Sequence, residues 1–286
     1  MESSNFIDLY SGESLAEKYL KYRPSYPKHI AETIIDQLKK SGARQSENGK
    51  FLRMLDVGCG SGQATFGFSP YFDSILALDI SADQIKMGKK DNKCDNVSFQ
   101  QMFDKYLPVE DESVDFINCA SAAHLFDIKY FTEECQRVLK PNGCVAIYFR
   151  SIKSIMTIPV KPAPNQEELN LKLHGLNFQF LRSVGMHPSM EICEKKYVPI
   201  FEQIPASSKV WLPGLEFFVE WTLKEYRHFR TTNGEYHKFM ETNPPNDPLN
   251  EAMNNIKQLL NVEGQSEEQI KTRVTWDVPT IIFKKE

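Results

Sequence analysis

The segment LDVGCGSGQ, residues 55–63, constrains the fold of this chain more than any other feature. Its glycines, Gly58, Gly60 and Gly62, occupy alternate positions shortly after an apolar run. Because glycine has no Cβ, a loop built from it can adopt backbone conformations closed to other residues and can be approached closely by a ligand. The segment therefore predicts a buried strand that ends in a ligand-binding turn.

Short apolar runs alternate with helical patterns as far as residue 150. The predicted strands read KFLRMLDV, DSILALDI, NVSFQQ, SVDFINCA and GCVAIYF. This alternation is typical of an α/β protein with a doubly wound, mostly parallel sheet. In such sheets ligands bind beyond the carboxyl ends of the strands, which is where the glycine loop is expected.

The chain divides into three parts by pattern. Residues 1–45 hold two helical patterns separated by RPSYP and are predicted to form an N-terminal helical cap or lid. Residues 46–150 are predicted to form the ligand-binding core, and residues 151–286 a region that covers the substrate and completes the same sheet. In the last part, GLEFFVEWTLKEYRHF and PLNEAMNNIKQLLN look helical, and RVTWDVPTIIF looks like a final strand. KYFTEECQRVLKPNG predicts a helix that stops at Pro141 to Gly143.

Composition narrows the classes of partner. The net charge of -4 and the absence of a long Lys/Arg block argue against a nucleic-acid partner. The N-terminal MESSNFIDLY lacks the features of a secretory signal, and no apolar run approaches a membrane span, so no membrane partner is expected. The six cysteines are scattered without metal-ligand spacing. We therefore expect a cytoplasmic protein with reduced thiols, no metal and a small-molecule substrate; its oligomeric state stays open.

Two acidic residues and one glutamine indicate the kind of ligand. A dinucleotide fingerprint needs a third glycine at position 63, where this chain has Gln63. Asp56, two residues before the first glycine, would repel a pyrophosphate but not a cation. Asp79, at the end of the second predicted strand, can accept hydrogen bonds from ribose hydroxyls. Together these features describe S-adenosylmethionine.

The stretch from Leu55 to Gln63 resembles motif I of the class I S-adenosylmethionine-dependent methyltransferases, and Asp79 resembles their ribose-binding acid. Residues 107–149 are similar to their segment from strand 4 to strand 5. The resemblance implies a Rossmann-like sheet of seven strands, mostly parallel, with an N-terminal helical cap and a C-terminal helical insertion. The cofactor-binding residues expected on this basis are Arg23, Asp56, Gly58, Gly60, Gly62, Gln63, Asp79, Ile80, Met102, Phe103 and Ala120.

A narrower resemblance concerns two short segments. YLKYRPSYP at 19–27 and AAHLFD at 122–127 are similar to segments of the trans-aconitate methyltransferase-like small-molecule methyltransferases, although Leu125 stands where that group commonly has tryptophan. This implies methyl transfer to an oxygen of a small molecule, such as a carboxylate. A non-catalytic S-adenosylmethionine-binding protein and, with less support, a nucleotide-dependent oxidoreductase remain as alternatives.

Several residues are candidates for the substrate half of the site. His124 follows the fourth predicted strand and could position the acceptor or act as a base. Arg23 could hold the cofactor's carboxylate or an acidic substrate. The other substrate-binding candidates are Tyr19, Tyr22 and Tyr26, which could close the pocket, and Trp221, which shares a predicted helical stripe with Phe217, Phe218 and Tyr226. Such a stripe is either core or pocket lining.

Overall fold

The computed structural model describes residues 10, 12–103, 105–205, 207 and 209–285. Residues 1–9 and 11 of the predicted cap lie outside the described residues. The rest of the cap forms two helices, α1 (Glu13–Tyr22) and α2 (Lys28–Lys40). The predicted break between them falls at Pro24 and Pro27, because proline cannot continue a helix from the preceding turn.

The remaining helices and the strands follow in a regular order. The strands are β1 (Phe51–Val57), β2 (Phe72–Asp79), β3 (Val97–Gln101), β4 (Val114–Ala120), β5 (Leu139–Tyr148), β6 (Ser151–Thr157), β7 (Lys209–Leu212), β8 (Glu216–Thr222), β9 (Lys271–Asp277) and β10 (Thr280–Lys284). The helices are α3 (Ala82–Asp91), α4 (Ile128–Val138), α5 (Gln166–Ser183), α6 (Met190–Glu194), α7 (Val198–Gln203), α8 (Leu223–Arg230), α9 (Gly234–Glu241) and α10 (Pro248–Leu259). Short 3₁₀ turns cover Thr65–Tyr71 and Ala123–Leu125. No helix in these described ranges is long and apolar enough for a membrane span.

The main sheet confirms the predicted seven-stranded, mostly parallel architecture. Its strand order is β3-β2-β1-β4-β5-β10-β7, with β1 to β5 parallel and β10 antiparallel to both of its neighbours. The chain moves outward from β1 to β3 and then returns to place β4 on the other side of β1. The switch point therefore lies between β1 and β4, whose carboxyl ends are adjacent at one edge.

Helix α4 carries the predicted apolar face. Phe131, Cys135 and Val138 are buried against the sheet. The helix ends at Val138, and β5 begins at the next residue, so the predicted stop at Pro141 to Gly143 was too late. Strand pairing with β4, which starts at Leu139, takes over before the proline is reached.

The C-terminal part differs from the prediction because it also builds a second sheet. Strands β6, β9 and β8 form a three-stranded antiparallel sheet. RVTWDVPTIIF is therefore two strands, β9 in the second sheet and β10 in the main sheet, separated at Val278 and Pro279. Only β7 and β10 of this region complete the main sheet.

Residues 216–222 were predicted as part of a helix and are a strand instead. Phe217 is 4% exposed and Phe218 is 52% exposed, which is the alternation of a strand in a sheet with one covered face. The helix begins only after Thr222, whose hydroxyl accepts from the backbone N–H of Glu225 while the Glu225 carboxylate accepts from the Thr222 N–H. The aromatic stripe is thus divided between β8 and α8.

Candidate functional site

The glycine loop connects β1 to the 3₁₀ turn at Thr65–Tyr71. The structure shows why glycine occupies each of the three positions. Gly58 has φ +73°, and a Cβ added there would lie 2.4 Å from the Cβ of Ala122 in the loop after β4. Gly62 has φ +96°, and its Cβ would lie 2.7 Å from the ring of Phe66. Gly60 has φ +56°, and its Cβ would meet nothing closer than 3.5 Å. Gly58 and Gly62 therefore permit close packing, whereas an added Cβ at Gly60 would make only ordinary contacts, and the left-handed backbone is what favours glycine there.

Asp79 lies at the end of β2 and holds the glycine loop in place. Its Oδ2 accepts from the backbone N–H of Gly60 at 2.8 Å, and its Oδ1 accepts from that of Ser81 at 2.9 Å. Burial raises the pKa of this carboxyl, and the backbone donors partly offset the rise. Since an ionised carboxylate offers about four acceptor positions, lone pairs remain for a diol.

Asp56 does not reach the ligand space, which corrects the prediction that it contacts a cofactor. Its side chain is fully buried; Oδ2 accepts from the Thr65 hydroxyl at 2.6 Å and Oδ1 from the Asn118 amide at 2.9 Å. Burial raises the pKa of this carboxyl to about 6. Asp56 therefore ties β1, β4 and the turn after the loop together beneath the site.

A cavity of about 1260 Å³ opens at the carboxyl edge of the main sheet. A pocket for one small molecule typically measures about 300–1,000 Å³, so this cavity has room for two ligands. The predicted cofactor residues that line it are Arg23, Gly58, Gly60, Gln63, Asp79, Ile80, Met102, Phe103 and Ala120. Gly62 does not line it, because its Cα faces the Phe66 and Phe99 rings.

The cap contributes three of its four predicted aromatic or basic residues to the cavity wall, namely Tyr19, Arg23 and Tyr26. Tyr26 shares a hydrogen bond of 3.0 Å with the hydroxyl of Ser121, after β4. Arg23 donates from Nε to the Thr232 hydroxyl at 2.6 Å, which links the cap to the C-terminal helices. Tyr22 packs on the His228 ring instead, at 4.8 Å between centroids, and does not line the cavity.

Trp221 also lies outside the cavity wall. Its ring packs against Phe229 and against the edge of Trp276, at centroid distances of 5.7 and 5.5 Å. Trp276, from β9, lines the cavity in its place. The predicted contact was wrong because residue 221 belongs to a strand, which turns its side chain toward this aromatic cluster.

His124 lies in the 3₁₀ turn after β4 and faces the cavity. Its Nδ1 is 2.8 Å from the hydroxyl of Tyr197, the residue before α7. Burial, together with a smaller effect of the neighbouring His187, lowers the pKa of the imidazole to about 3. The ring is therefore neutral over the physiological pH range.

Two arginines that were not predicted as site residues also line the cavity, Arg150 after β5 and Arg230 at the end of α8. Arg150 donates to the carbonyl of Pro24 and lies over the Tyr26 ring at 5.4 Å, while its Nε is buried without a hydrogen-bond partner. Arg230 donates to Asn177. Within the described residues, neither guanidinium has a carboxylate within 4.0 Å. The position of Arg150, two residues after the end of β5, was a signal that could have identified it.

Comparisons with known proteins agree with this geometry. Residues 55–147 match the family model described as a methyltransferase domain. A provisionally named methyltransferase of Dictyostelium discoideum is 31% identical over 142 residues, which cover 50% of this chain and 49% of that protein. The chain thus spans about half the length of this relative. CRG1 of Saccharomyces cerevisiae, provisionally named as an S-adenosylmethionine-dependent methyltransferase, is 22% identical over a match that covers 93% of this chain and 94% of CRG1.

Among solved structures, a provisionally named type II methyltransferase from Anaeromyxobacter dehalogenans superposes with a TM-score of 0.67 at 21% identity. The superposition covers 92% of this chain and 98% of the other, which extends the shared fold beyond the matched domain to the cap and the C-terminal part. Over residues 55–147 the chain is therefore similar to methyltransferase domains, and over most of its length it shares the fold of a solved, provisionally named methyltransferase.

Proposed function

We propose that this protein transfers a methyl group from S-adenosylmethionine to an anionic oxygen, such as a carboxylate, of a small molecule. The proposal includes membership of the trans-aconitate methyltransferase-like group and a cytoplasmic location without nucleic-acid or membrane partners. In it, residues 1–45 are a lid, residues 46–150 bind the cofactor and residues 151–286 cover the acceptor. The proposed acceptor class rests on the arginines of the cavity wall, Arg23, Arg150 and Arg230, none of which has a carboxylate partner within 4.0 Å among the described residues.

The residues present fit the cofactor. Gly60 lines the cavity, and Asp79 offers its remaining lone pairs beside the glycine loop. Ile80, Met102 and Phe103 follow β2 and β3 and supply apolar surface for an adenine. Gln84 has a buried Oε1 without a partner in the cavity wall, which is an acceptor for a further polar group of the ligand.

The acceptor half of the site lies over β4 and β5. When bound, S-adenosylmethionine supplies an electrophilic methyl group on a cationic sulfur. His124 and Arg150 follow the carboxyl ends of β4 and β5, beside Ala120 and Ser121. Arg150 can orient an anionic oxygen by charge-assisted hydrogen bonds. The cap and the C-terminal helices exclude water, which strengthens the attraction between an anion and a cationic methyl donor.

Transfer of a tritiated methyl group tests this function. The protein is incubated with S-[methyl-³H]adenosylmethionine and a deproteinised metabolite extract, and the small molecules are separated and treated with mild alkali. We expect label in a small molecule and its release as methanol, because methyl esters are base-labile. Label that survives alkali would overturn the carboxylate assignment, and the absence of any labelled product would overturn the methyl transfer.

An Asp79→Ala variant should bind S-adenosylmethionine about 10- to 100-fold more weakly. Loss of a charge-assisted hydrogen bond costs about 1.5–3 kcal/mol, and the variant also releases the backbone N–H of Gly60. Isothermal calorimetry measures the affinity, and Asp79→Asn, which keeps one acceptor oxygen, should lose less. Unchanged affinity in the alanine variant would remove Asp79 from the cofactor site.

A further inference from the structure

The pairing of His124 with Tyr197 determines what the imidazole can do in the cavity. Tyr197 is fully buried, has φ 64° immediately before α7 and packs face to face on Phe149 at 4.2 Å between centroids. Its hydroxyl lies 2.8 Å from His124 Nδ1. The phenol is thus held rigidly against one nitrogen of the ring, and the other nitrogen, Nε2, is left for the cavity.

The direction of this hydrogen bond follows from the hydroxyl's surroundings. The Tyr197 hydroxyl is hydrogen-bonded to two groups of His124, Nδ1 at 2.8 Å and the backbone, and the backbone contact lowers the pKa of the phenol, as an N–H donor does. Among the described residues, Nδ1 is therefore the one acceptor for the proton of the hydroxyl. If the hydroxyl only accepted, its own proton would be buried without an acceptor, and a buried unsatisfied donor costs about 1–3 kcal/mol. The hydroxyl therefore donates to Nδ1, and a neutral imidazole that accepts at Nδ1 carries its proton on Nε2.

We propose that Tyr197 fixes His124 in the Nε2–H tautomer, so that His124 donates a hydrogen bond to the acceptor's oxygen and does not remove a proton from it. Tyr197 is then a positioning residue that acts through His124. The second part of this inference rests on the proposed methyl transfer, whereas the tautomer is a property of the protein without substrate.

The titratable neighbours do not oppose this assignment. Two titratable side chains are close to the His124 ring: Tyr197, the residue before α7, and His187, in the segment before α6. Cys193 of α6 and Cys119 of β4 lie near the Tyr197 hydroxyl, and burial raises the pKa of both thiols, so they are uncharged. Burial keeps the pKa of His124 at about 3. Protonation of the ring therefore does not interfere between pH 6 and pH 9.

Nitrogen-15 NMR of histidine-labelled protein tests the tautomer without any substrate. Couplings between ring protons and nitrogens should show the proton of His124 on Nε2 throughout pH 6 to 9. In Tyr197→Phe the two tautomers should mix. A proton found on Nδ1 in the parent protein would overturn the inference, even if methyl transfer is confirmed.

Kinetics with the acceptor identified from the extract test the role. His124→Ala should lower kcat/KM about 10- to 100-fold, because a hydrogen bond to a charged group is lost, while cofactor affinity stays within about 3-fold. His124→Gln should recover part of this loss through its amide N–H. Tyr197→Phe should lower kcat/KM several-fold, whereas Tyr236→Phe, which removes a hydroxyl bonded to Asp247 outside the cavity, should leave it unchanged.

The rate of the glutamine variant separates a donor from a base. Glutamine keeps an N–H donor but cannot take up a proton, so the donor role predicts that His124→Gln is faster than His124→Ala. A His124→Gln variant as slow as His124→Ala would assign His124 as a base and overturn the inference.

Discussion

A Gly58→Ala variant is expected to lose cofactor binding and to unfold at a lower temperature than the parent protein. The left-handed backbone at this position, φ +73°, costs a non-glycine residue about 1–2 kcal/mol. The added methyl would also lie 2.4 Å from the Ala122 Cβ, and overpacking of this kind costs about 1–3 kcal/mol. If the loop distorts to relieve this strain, the affinity for the cofactor falls. The summed cost of about 2–5 kcal/mol then corresponds to a loss of affinity of roughly 30-fold to several thousand-fold.

Calorimetry with S-adenosylhomocysteine and thermal unfolding measure the two effects of Gly58→Ala. Gly175→Ala is the matched control, because Gly175 lies within α5 and an added Cβ would meet no atom within 4 Å. This control should keep the parent affinity and the parent stability or slightly more. Parent-like affinity in Gly58→Ala would show that the packing of the loop on Ala122 does not matter for binding.

An Arg150→Met variant should lose recognition of the acceptor while it keeps the cofactor. Methionine retains an apolar stem but leaves an anionic group unpaired in a buried site, which costs about 2–5 kcal/mol, or roughly 30-fold to several thousand-fold in kcat/KM. Arg150→Lys keeps the charge but not the planar fork and should recover part of the loss. Affinity for S-adenosylhomocysteine should change less than about 3-fold in both variants.

Arg273→Met serves as the control for removal of an arginine. Arg273 pairs with Glu220 at 2.7 Å on the surface of the second sheet and does not line the cavity. Surface ion pairs contribute about 0–1 kcal/mol, so this variant should transfer methyl groups at the parent rate. An Arg150→Met protein with an unchanged KM for the acceptor would place Arg150 outside the acceptor site.

The first five strands of the main sheet could be predicted from the sequence because they are short, apolar and bounded by strong breakers. The second sheet could not, because β8 has aromatic residues at spacings that suit a helix as well as a strand. The Thr222–Glu225 capping box was the local signal that a helix begins there and not earlier. The separation of β9 from β10 at Pro279 was not predictable either, because β9 pairs with strands of the second sheet and β10 with strands of the main sheet.

In the candidate site, positions at strand ends were predictable and the orientation of side chains was not. Asp79 ends β2, and Asp56 lies one residue before the end of β1. Asp79 lines the cavity, whereas both carboxylate oxygens of Asp56 accept hydrogen bonds from Asn118 and Thr65 beneath the loop. Tyr197 and Arg230 come from helical segments distant in sequence. Their approach to the cavity depends on how the C-terminal part packs, and no local pattern encodes that packing.

Hydrogen exchange measured with and without saturating S-adenosylhomocysteine tests most directly whether this cavity is the cofactor site. We predict slower exchange in the loop at residues 58–63, at residues 79–81 and across the cap from Tyr19 to Tyr26, because each of these segments contributes residues to the cavity wall. Helix α10, Pro248–Leu259, should exchange at the same rate in both states, because it does not line the cavity. Unchanged exchange at residues 58–63 and 79–81 would contradict the assignment of this cavity to the cofactor.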